Sequence, residues 1–207
     1  MEISSTQVKE LRERTGAGVM ACKRALAECA GDVKAAEEKL RKQNLAQAAS
    51  RAGRAARQGL VEAYIHPGGR VGVLVELNCE TDFVARTDEF RALAHDLAIQ
   101  VAASRPLAVT RDQLLAEKSE LVEKEKAIYR EQALHEGKSG EIVQRVAEGR
   151  LGKFFQETVL LEQPFVRDLD QPKKRTVEEL LREKIGLLGE NLVVRRFVRY
   201  ELAAEED

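Results

Sequence analysis

Two runs of alternating apolar residues, one on each side of a tight turn, constrain the fold of this chain more than any other feature of its sequence. The turn is His66-Pro67-Gly68-Gly69, and aliphatic side chains recur at every second position of residues 61–65 and 71–77. Alternation of this period around a Pro-Gly turn is typical of a β-hairpin. A third alternating run at residues 192–200 predicts a strand that is distant in sequence and joins the hairpin. We therefore predict an α+β fold, in which helices cover an antiparallel three-stranded sheet.

The N-terminal part of the chain predicts three short helices. Ser4, with Gln7 three residues later, has the pattern of a capping box, and Asp32 is a favourable cap for the third helix. Three helices in about 45 residues bury little surface, so this is a small module with a thin core. The chain then becomes rich in Ala and Arg before the first strand. We predict three regions, which are a three-helix module at 1–45, a basic linker at 46–58 that is partly helical, and an α+β core at 59–207.

Further helices are predicted within the core region. Asp88 and Glu89 follow Thr87, and two acids after a capping residue favour the start of a helix because they suit the positive end of its dipole. Residues 113–136 are rich in Glu, Lys, Leu and Ala, which is typical of an exposed helix with ion pairs along its surface. Two more helices are predicted, from Ser139 to about Leu161 and from Thr176 to Ile185.

Charge and composition argue against several classes of protein. Thirty-four Lys and Arg against thirty-five Asp and Glu give a net charge of −1, so the chain as a whole has no electrostatic preference for nucleic acid or an anionic membrane. The N-terminus lacks the features of a signal peptide, and no apolar run approaches the roughly 20 residues that span a bilayer. The three cysteines form an odd set, which indicates a reducing compartment. We expect a cytoplasmic protein that binds neither membranes nor, directly, nucleic acid.

The sequence gives little support for a catalytic site or a metal site. No Cys or His pair has the short spacing of a zinc site, and we expect neither a metal nor another cofactor. Cys79 with His66 is the best combination of nucleophile and base in the chain, but ordinary strand thiols are far commoner than catalytic ones. We therefore expect a binding protein and not an enzyme, and we keep a thiol hydrolase that uses Cys79 as an alternative.

A glycine turn near the N-terminus marks a possible contact surface. Gly16-Ala17-Gly18 has the spacing of a dinucleotide-binding loop, but it follows a predicted helix and not a strand, which favours a tight turn between helices. Val19 and Met20 come straight after this turn. At least one of these two apolar side chains should be exposed on so small a module.

A basic stripe gives an alternative from another class, which is an RNA-binding accessory protein. Arg51, Arg54 and Arg57 recur at helical spacing with no acid among them. They lack interleaved aromatic residues on which bases would stack, so a solvated helix face explains them better. RNA binding through these arginines stays open as the second hypothesis.

Residues 76–86 carry the most informative pattern in the chain. They read Glu76-Leu77-Asn78-Cys79-Glu80-Thr81-Asp82-Phe83-Val84-Ala85-Arg86. The segment leaves a predicted strand and enters a helix, with Thr81 as its cap. Periodicity alone places Phe83 and Val84 in the core, at the start of that helix.

This segment resembles the internal signature of the elongation factor Ts family throughout its eleven residues. The N-terminal signature of that family agrees independently, at residues 8–18 and at Met20, Cys22 and Lys23. Further matches at 149–155, 161–166 and 194–200 extend the resemblance over nearly the whole chain.

The resemblance implies a guanine-nucleotide exchange factor of translation elongation, which has no chemistry of its own and acts on the GTPase elongation factor Tu. It also implies that the three-helix module is similar to a ubiquitin-associated domain. The residues expected to contact the GTPase are Arg12, Val19, Met20, Asp82 and Phe83. Phe83 would enter near the bound magnesium and loosen GDP, while Thr81, Val84 and Arg86 would support the motif.

Three features depart from the family pattern. Position 19 is Val where the family commonly has Met, which keeps the contact apolar but reduces it. Leu187-Leu188-Gly189 is inserted before Glu190, so we expect the turn that precedes the last strand to depart from the family pattern. The chain also corresponds to one core half of the longer members. By resemblance to other short members, we expect a homodimer that binds two GTPase molecules.

Overall fold

A computed structural model of the chain describes residues 3–172 and 174–203. Within them the helices are α1 (Ser5–Thr15), α2 (Val19–Glu28), α3 (Val33–Arg51), α4 (Asp82–Ala85), α5 (Asp88–Ser104), α6 (Arg111–Glu117), α7 (Ser119–His135), α8 (Glu141–Thr158) and α9 (Val177–Leu188). The strands are β1 (Gln58–Ile65), β2 (Val71–Cys79) and β3 (Val193–Glu201). Short 3-10 helices lie at Leu160–Glu162 and Val166–Asp168. The predicted α+β class is confirmed. The outermost residues of the first and third predicted regions lie outside the described part of the chain.

The chain divides into two compact units that do not follow the order of the sequence. The first unit comprises the chain up to Gly59, together with Asn78–Phe90 and Glu179–Val193. The second unit comprises Leu60–Leu77, Arg91–Glu178 and the chain from Val194 onward. The three N-terminal helices therefore share a unit with the turn after β2 and with most of α9.

Helices α1 to α3 pack around a small apolar core within the first unit. Its buried members are Leu11, Ala17, Cys22, Ala25, Leu26, Ala36 and Leu40. Ser4 and Gln7 form the predicted capping box, in which Ser4 Oγ accepts from Gln7 N at 3.2 Å. Asp32 Oδ1 accepts from the backbone of Lys34 and Ala35 at 2.9 and 3.1 Å. The three predicted N-terminal helices are confirmed, and side-chain caps define where α1 and α3 begin.

Two of the first-unit helices are longer than predicted. Helix α3 continues to Arg51, since its Ala and Gln residues are good helix formers and Ala48 is buried. Helix α9 extends through Leu188 and ends at Gly189, whose φ of 78° is a conformation that favours glycine. The inserted Leu187-Leu188-Gly189 therefore completes a helix and does not enlarge the loop before β3.

The helices of the second unit also differ from prediction. Residues 113–136 form two helices and not one, because the backbone of Lys118 (φ −135°, ψ 42°) leaves the helical region between α6 and α7. Leu114 of α6 and Val122 of α7 both enter one apolar cluster with Phe155 of α8. Helix α8 ends at Thr158, so that a 3-10 helix takes the place of its predicted last turn.

The strands pair in the order β1-β2-β3, so β3 joins the hairpin as predicted. One face of the sheet contacts α5. His95 Nδ1 of α5 lies 2.9 Å from Glu62 Oε1 of β1, and Arg199 Nε of β3 donates to the carbonyl of Ala102 at 3.3 Å. The alternation that predicted the strands thus places these side chains on the helical side.

The opposite face of the sheet carries apolar side chains that are exposed to solvent. Its large exposed members are Val61 and Ile65 of β1, Leu74 of β2, and Val198 and Tyr200 of β3. They occupy the alternate strand positions, on the side away from α5. Among the described residues, the helical layer therefore covers one face of this sheet, and we name the other the open sheet face.

Helix α9 crosses α3 at very short distance within the first unit. A Cβ atom on Gly186 would lie 2.6 Å from Cβ of Asn44 and 2.7 Å from its backbone oxygen. Leu187, the next residue, approaches the turn between α1 and α2, with Cδ1 only 3.3 Å from where a Cβ on Gly16 would lie. Glycine at position 186 therefore allows the end of α9 to lie directly on the three-helix module.

Replacement of Gly186 by Ala should destabilise the protein by about 1–3 kcal/mol, because the added methyl group overlaps the backbone of α3. The free energy of unfolding in urea measures this change. Gly149→Ala is the matched control, since Gly149 lies within α8 and a Cβ there meets nothing within 4 Å. That variant should gain up to about 1 kcal/mol from the higher helix propensity of Ala. Equal stabilisation by both substitutions would contradict the close crossing.

Candidate functional site

The turn between β2 and α5 presents a phenylalanine to solvent. Thr81 Oγ1 accepts a hydrogen bond from Val84 N at 3.5 Å and caps α4, as the sequence predicts. Ala85 is buried, Val84 is half-buried and Phe83 is 80% exposed. The interpretation from periodicity, which placed Phe83 in the core, is therefore wrong. A helix of one turn has only one side against the interior, and Phe83 lies on the other.

An exposed ion pair flanks this ring. Arg86 Nη2 donates to Asp82 Oδ2 at 2.7 Å, across one turn of the chain. Pairs in such solvated positions contribute little to stability. Asp82 can therefore exchange Arg86 for a group on another molecule with a small loss of free energy.

A second exposed apolar surface lies at the start of α2. Gly16 ends α1 in the left-handed conformation, and its N–H donates to the carbonyl of Arg12 at 2.8 Å. Val19 and Met20 then occupy the first turn of α2 and are 52% and 75% exposed. The predicted interhelical turn is confirmed, and the side chain of Arg12 is exposed near the end of α1.

All five residues that sequence analysis assigned to partner binding belong to the first compact unit. Two of them, Asp82 and Phe83, come from the turn after β2, and the other three come from α1 and α2. The structure thus places in one unit residues that are more than 60 positions apart in the chain.

Sequence reasoning missed the contacts that hold the turn after β2. Glu190 Oε2 accepts from the backbone nitrogens of Glu80 and Thr81 at 3.1 and 3.0 Å, and its Oε1 accepts from Thr81 Oγ1 at 2.5 Å. In return Glu80 Oε1 accepts from Asn191 N at 2.7 Å. We name these four residues the carboxylate clamp. Glu80 and Thr81 lie within the family signature, but nothing in the sequence pairs them with Glu190 and Asn191, because contacts over such a separation leave no local pattern.

The thiol-hydrolase alternative has no support in the geometry. Cys79 is buried, and its Sγ donates to the carbonyl of Thr81 at 3.0 Å. Burial, followed by the negative charge of Glu190, raises the pKa of Cys79 to about 11. The thiol is therefore protonated at neutral pH and is a poor nucleophile. The ring of His66 is engaged elsewhere, with Nδ1 3.0 Å from Tyr64 Oη.

The three arginines of the RNA-binding hypothesis do not share a helix face. Helix α3 ends at Arg51, and the other two lie beyond it. Arg51 donates to Gln47 Oε1 at 3.3 Å, and Arg54 Nη1 lies 3.8 Å from Glu80 Oε2. The continuous basic stripe that the spacing suggested is therefore not formed.

Within residues 3–172 and 174–203, no group of three or more His, Cys, Asp or Glu side chains is arranged to hold a metal ion. Cys22, Cys29 and Cys79 are free thiols. The helices of these ranges include none with the length and apolar character needed to cross a bilayer.

Comparison with known proteins identifies the family of the chain. The family model described as Elongation factor TS matches residues 7–172. Elongation factor Ts of Moorella thermoacetica is 58% identical over 204 residues, which cover 97% of this chain and 95% of the relative. The proteins of the same name from Carboxydothermus hydrogenoformans and Desulforamulus reducens are 58% and 56% identical, each over 97% of this chain and 89% of their own length. The chain therefore belongs to the elongation factor Ts family and is a translation elongation factor.

Proposed function

We propose that this protein is a guanine-nucleotide exchange factor that binds elongation factor Tu in its GDP form and promotes GDP release. The exposure of Phe83, within a segment that matches the family signature, is the observation that supports this most. Burial of such a ring contributes about 1.5–3 kcal/mol, which this fold forgoes. Large aromatic side chains are the usual anchors of protein interfaces. A partner with an apolar pocket would recover that free energy.

Exchange of this kind needs no covalent step. A factor that binds the nucleotide-free GTPase more tightly than the GDP form must weaken GDP binding by the same coupling free energy. GTP then binds the empty site and expels the factor, so one molecule of factor acts many times. The protein is accordingly not an enzyme in this proposal, and it acts in the cytoplasm, where elongation takes place.

The proposed roles follow the position of each side chain. Phe83 enters the GTPase near its magnesium and phosphate site and disturbs the groups that hold GDP. Asp82, beside the ring, exchanges its bond to Arg86 for one to the partner. The exposed Arg12, Val19 and Met20 dock the three-helix module, which we expect to be similar to a ubiquitin-associated domain, on the GTPase domain.

Replacement of Phe83 by Ala should slow GDP release from the partner by at least about tenfold, since truncation of an interface anchor costs about 2 kcal/mol or more. Release of a fluorescent GDP analogue from elongation factor Tu, with the factor in excess, measures the rate. The fold should be unaffected because the ring makes few contacts within its own chain.

Two control variants separate this mechanism from its alternatives. Leu134→Ala removes another exposed apolar side chain (57% exposed) from α7 and should leave the rate of GDP release unchanged. Cys79→Ser should also be nearly silent, whereas a thiol hydrolase would be inactivated. Undiminished release with Phe83→Ala would exclude the proposed mechanism, though not binding.

We also propose that the protein is a homodimer joined through the open sheet face. Exposed apolar patches of this kind are rare on monomers and mark interaction sites. A two-fold dimer buries the same patch on both subunits, which suits a surface of mainly aliphatic side chains with Tyr200 at 72% exposure. Each subunit then keeps its own copy of the partner-binding residues, so the dimer binds two GTPase molecules.

Replacement of Leu74 by Glu should dissociate the dimer, because it introduces two charges into an apolar interface without partners. Light scattering after size-exclusion chromatography would then report the mass of one chain, against twice that mass for the wild type. Leu134→Glu, an equally drastic change at an exposed site of α7, is the control and should stay dimeric. A wild-type protein that is monomeric at micromolar concentration would refute the proposal.

A further inference from the structure

We infer that Glu190 is a positioning residue for nucleotide exchange, which holds the turn bearing Asp82 and Phe83 in the orientation that the partner meets. The inference rests on the proposed function and adds to it a residue outside the partner-contact set. It follows from the three hydrogen bonds that this carboxylate accepts, from the exposure of the ring on the turn it supports, and from the place of Glu190 just after the end of α9.

The bond from Thr81 to Glu190 orients the cap of α4. A threonine hydroxyl has one proton and two acceptor lone pairs. Because Thr81 Oγ1 donates its proton to Glu190 at 2.5 Å, its lone pairs are left to face the N–H of Val84. The carboxylate also accepts from two successive backbone N–H groups at the entry to the turn. Charge-assisted bonds of this type are stronger than neutral ones, so Glu190 defines both the entry and the cap.

Other contacts also hold this turn: Cys79 Sγ donates to the carbonyl of Thr81 at 3.0 Å, and Thr87 Oγ1 donates to the carbonyl of Val84 at 2.8 Å. Helix α4 contains four residues, and a single helical turn is unstable without tertiary contacts. Phe83 is 80% exposed and cannot anchor the turn by packing inside its own chain. The direction of the ring is therefore set by the backbone, and at the entry to the turn the bonds from Glu80 and Thr81 to Glu190 hold that backbone.

The same chain segment is joined to the other predicted contact surface. Gly186, four residues before Glu190, lies directly on α3, and Leu187 lies against the glycine turn that leads into Val19 and Met20. Asn191, the residue after Glu190, donates from Nδ2 to the carbonyl of Arg54 at 2.7 Å. The end of α9 thus sets the position of Phe83 relative to the exposed start of α2, within a single compact unit.

The first test needs no partner. Hydrogen exchange of the Glu80 and Thr81 amides, measured by NMR on the full chain, should become at least about tenfold faster in Glu190→Ala, because both lose their acceptor and open locally. Glu190→Gln keeps one acceptor oxygen in the same place and should lose less protection. Glu162→Ala removes a half-buried carboxylate, paired with Arg111 in the second unit, and should leave these two amides unchanged.

The second test is a double-mutant cycle in the GDP-release assay with elongation factor Tu. At saturating factor, Glu190→Ala should slow release by roughly tenfold, since misplacement of a working group by about 1 Å costs rate and not only affinity. In the Phe83→Ala background the same substitution should slow release no further. A general loss of structure would instead multiply the two effects and lower the melting temperature in proportion.

The outcomes are distinguishable. If the amides of Glu80 and Thr81 keep their protection in Glu190→Ala, the inference is overturned, whatever the result of the GDP-release assay. The positioning role is overturned if the two amides lose protection in Glu190→Ala but this variant releases GDP at the wild-type rate, while Phe83→Ala releases it slowly. The positioning role is also overturned if the free-energy losses of the two single variants add up in the double variant. If Phe83→Ala releases GDP at the wild-type rate, the proposed function fails instead, and the amide protection still shows whether Glu190 holds the turn.

Discussion

One carboxylate joins parts of this chain that are 109 residues apart in sequence. Glu190 satisfies its charge with two backbone N–H groups and one hydroxyl from the turn after β2. It reaches them because Gly186 allows α9 to lie directly on α3. A larger side chain at position 186 would displace the end of α9, and the acid with it. The geometry of the exposed turn therefore depends on a contact that the turn itself does not contain.

Three of the exposed apolar surfaces among the described residues bear on the proposed function. Phe83 and the pair Val19 and Met20 lie in the first unit, and the open sheet face lies in the second. Within a single chain, each of them forgoes the stability that burial would contribute. A partner GTPase and a second copy of the chain are the proposed occupants, so the same residues that weaken the monomer would stabilise its complexes.

The proposed mechanism requires a correctly positioned side chain and does not require a chemically reactive one. The buried Cys79 is protonated, and the exposed carboxylate nearest the ring is paired with Arg86. What the protein supplies is an aromatic side chain held in a defined direction on a firm backbone. In the proposed mechanism, linkage would weaken GDP binding, because the factor would bind the empty GTPase more tightly than the GDP form.

Local sequence patterns by themselves were enough to predict the three N-terminal helices and the hairpin, and to recognise the family. The capping residues Ser4 and Asp32, the turn at 66–69 and the signature at 76–86 act over a few positions, and the chain folds as they indicate. Only the tertiary structure decided that Phe83 faces solvent, since the side on which a one-turn helix exposes a residue depends on what packs beneath it. The carboxylate clamp and the crossing at Gly186 were decided in the same way. They join residues more than a hundred positions apart, and periodicity reports only on neighbours within a turn or two.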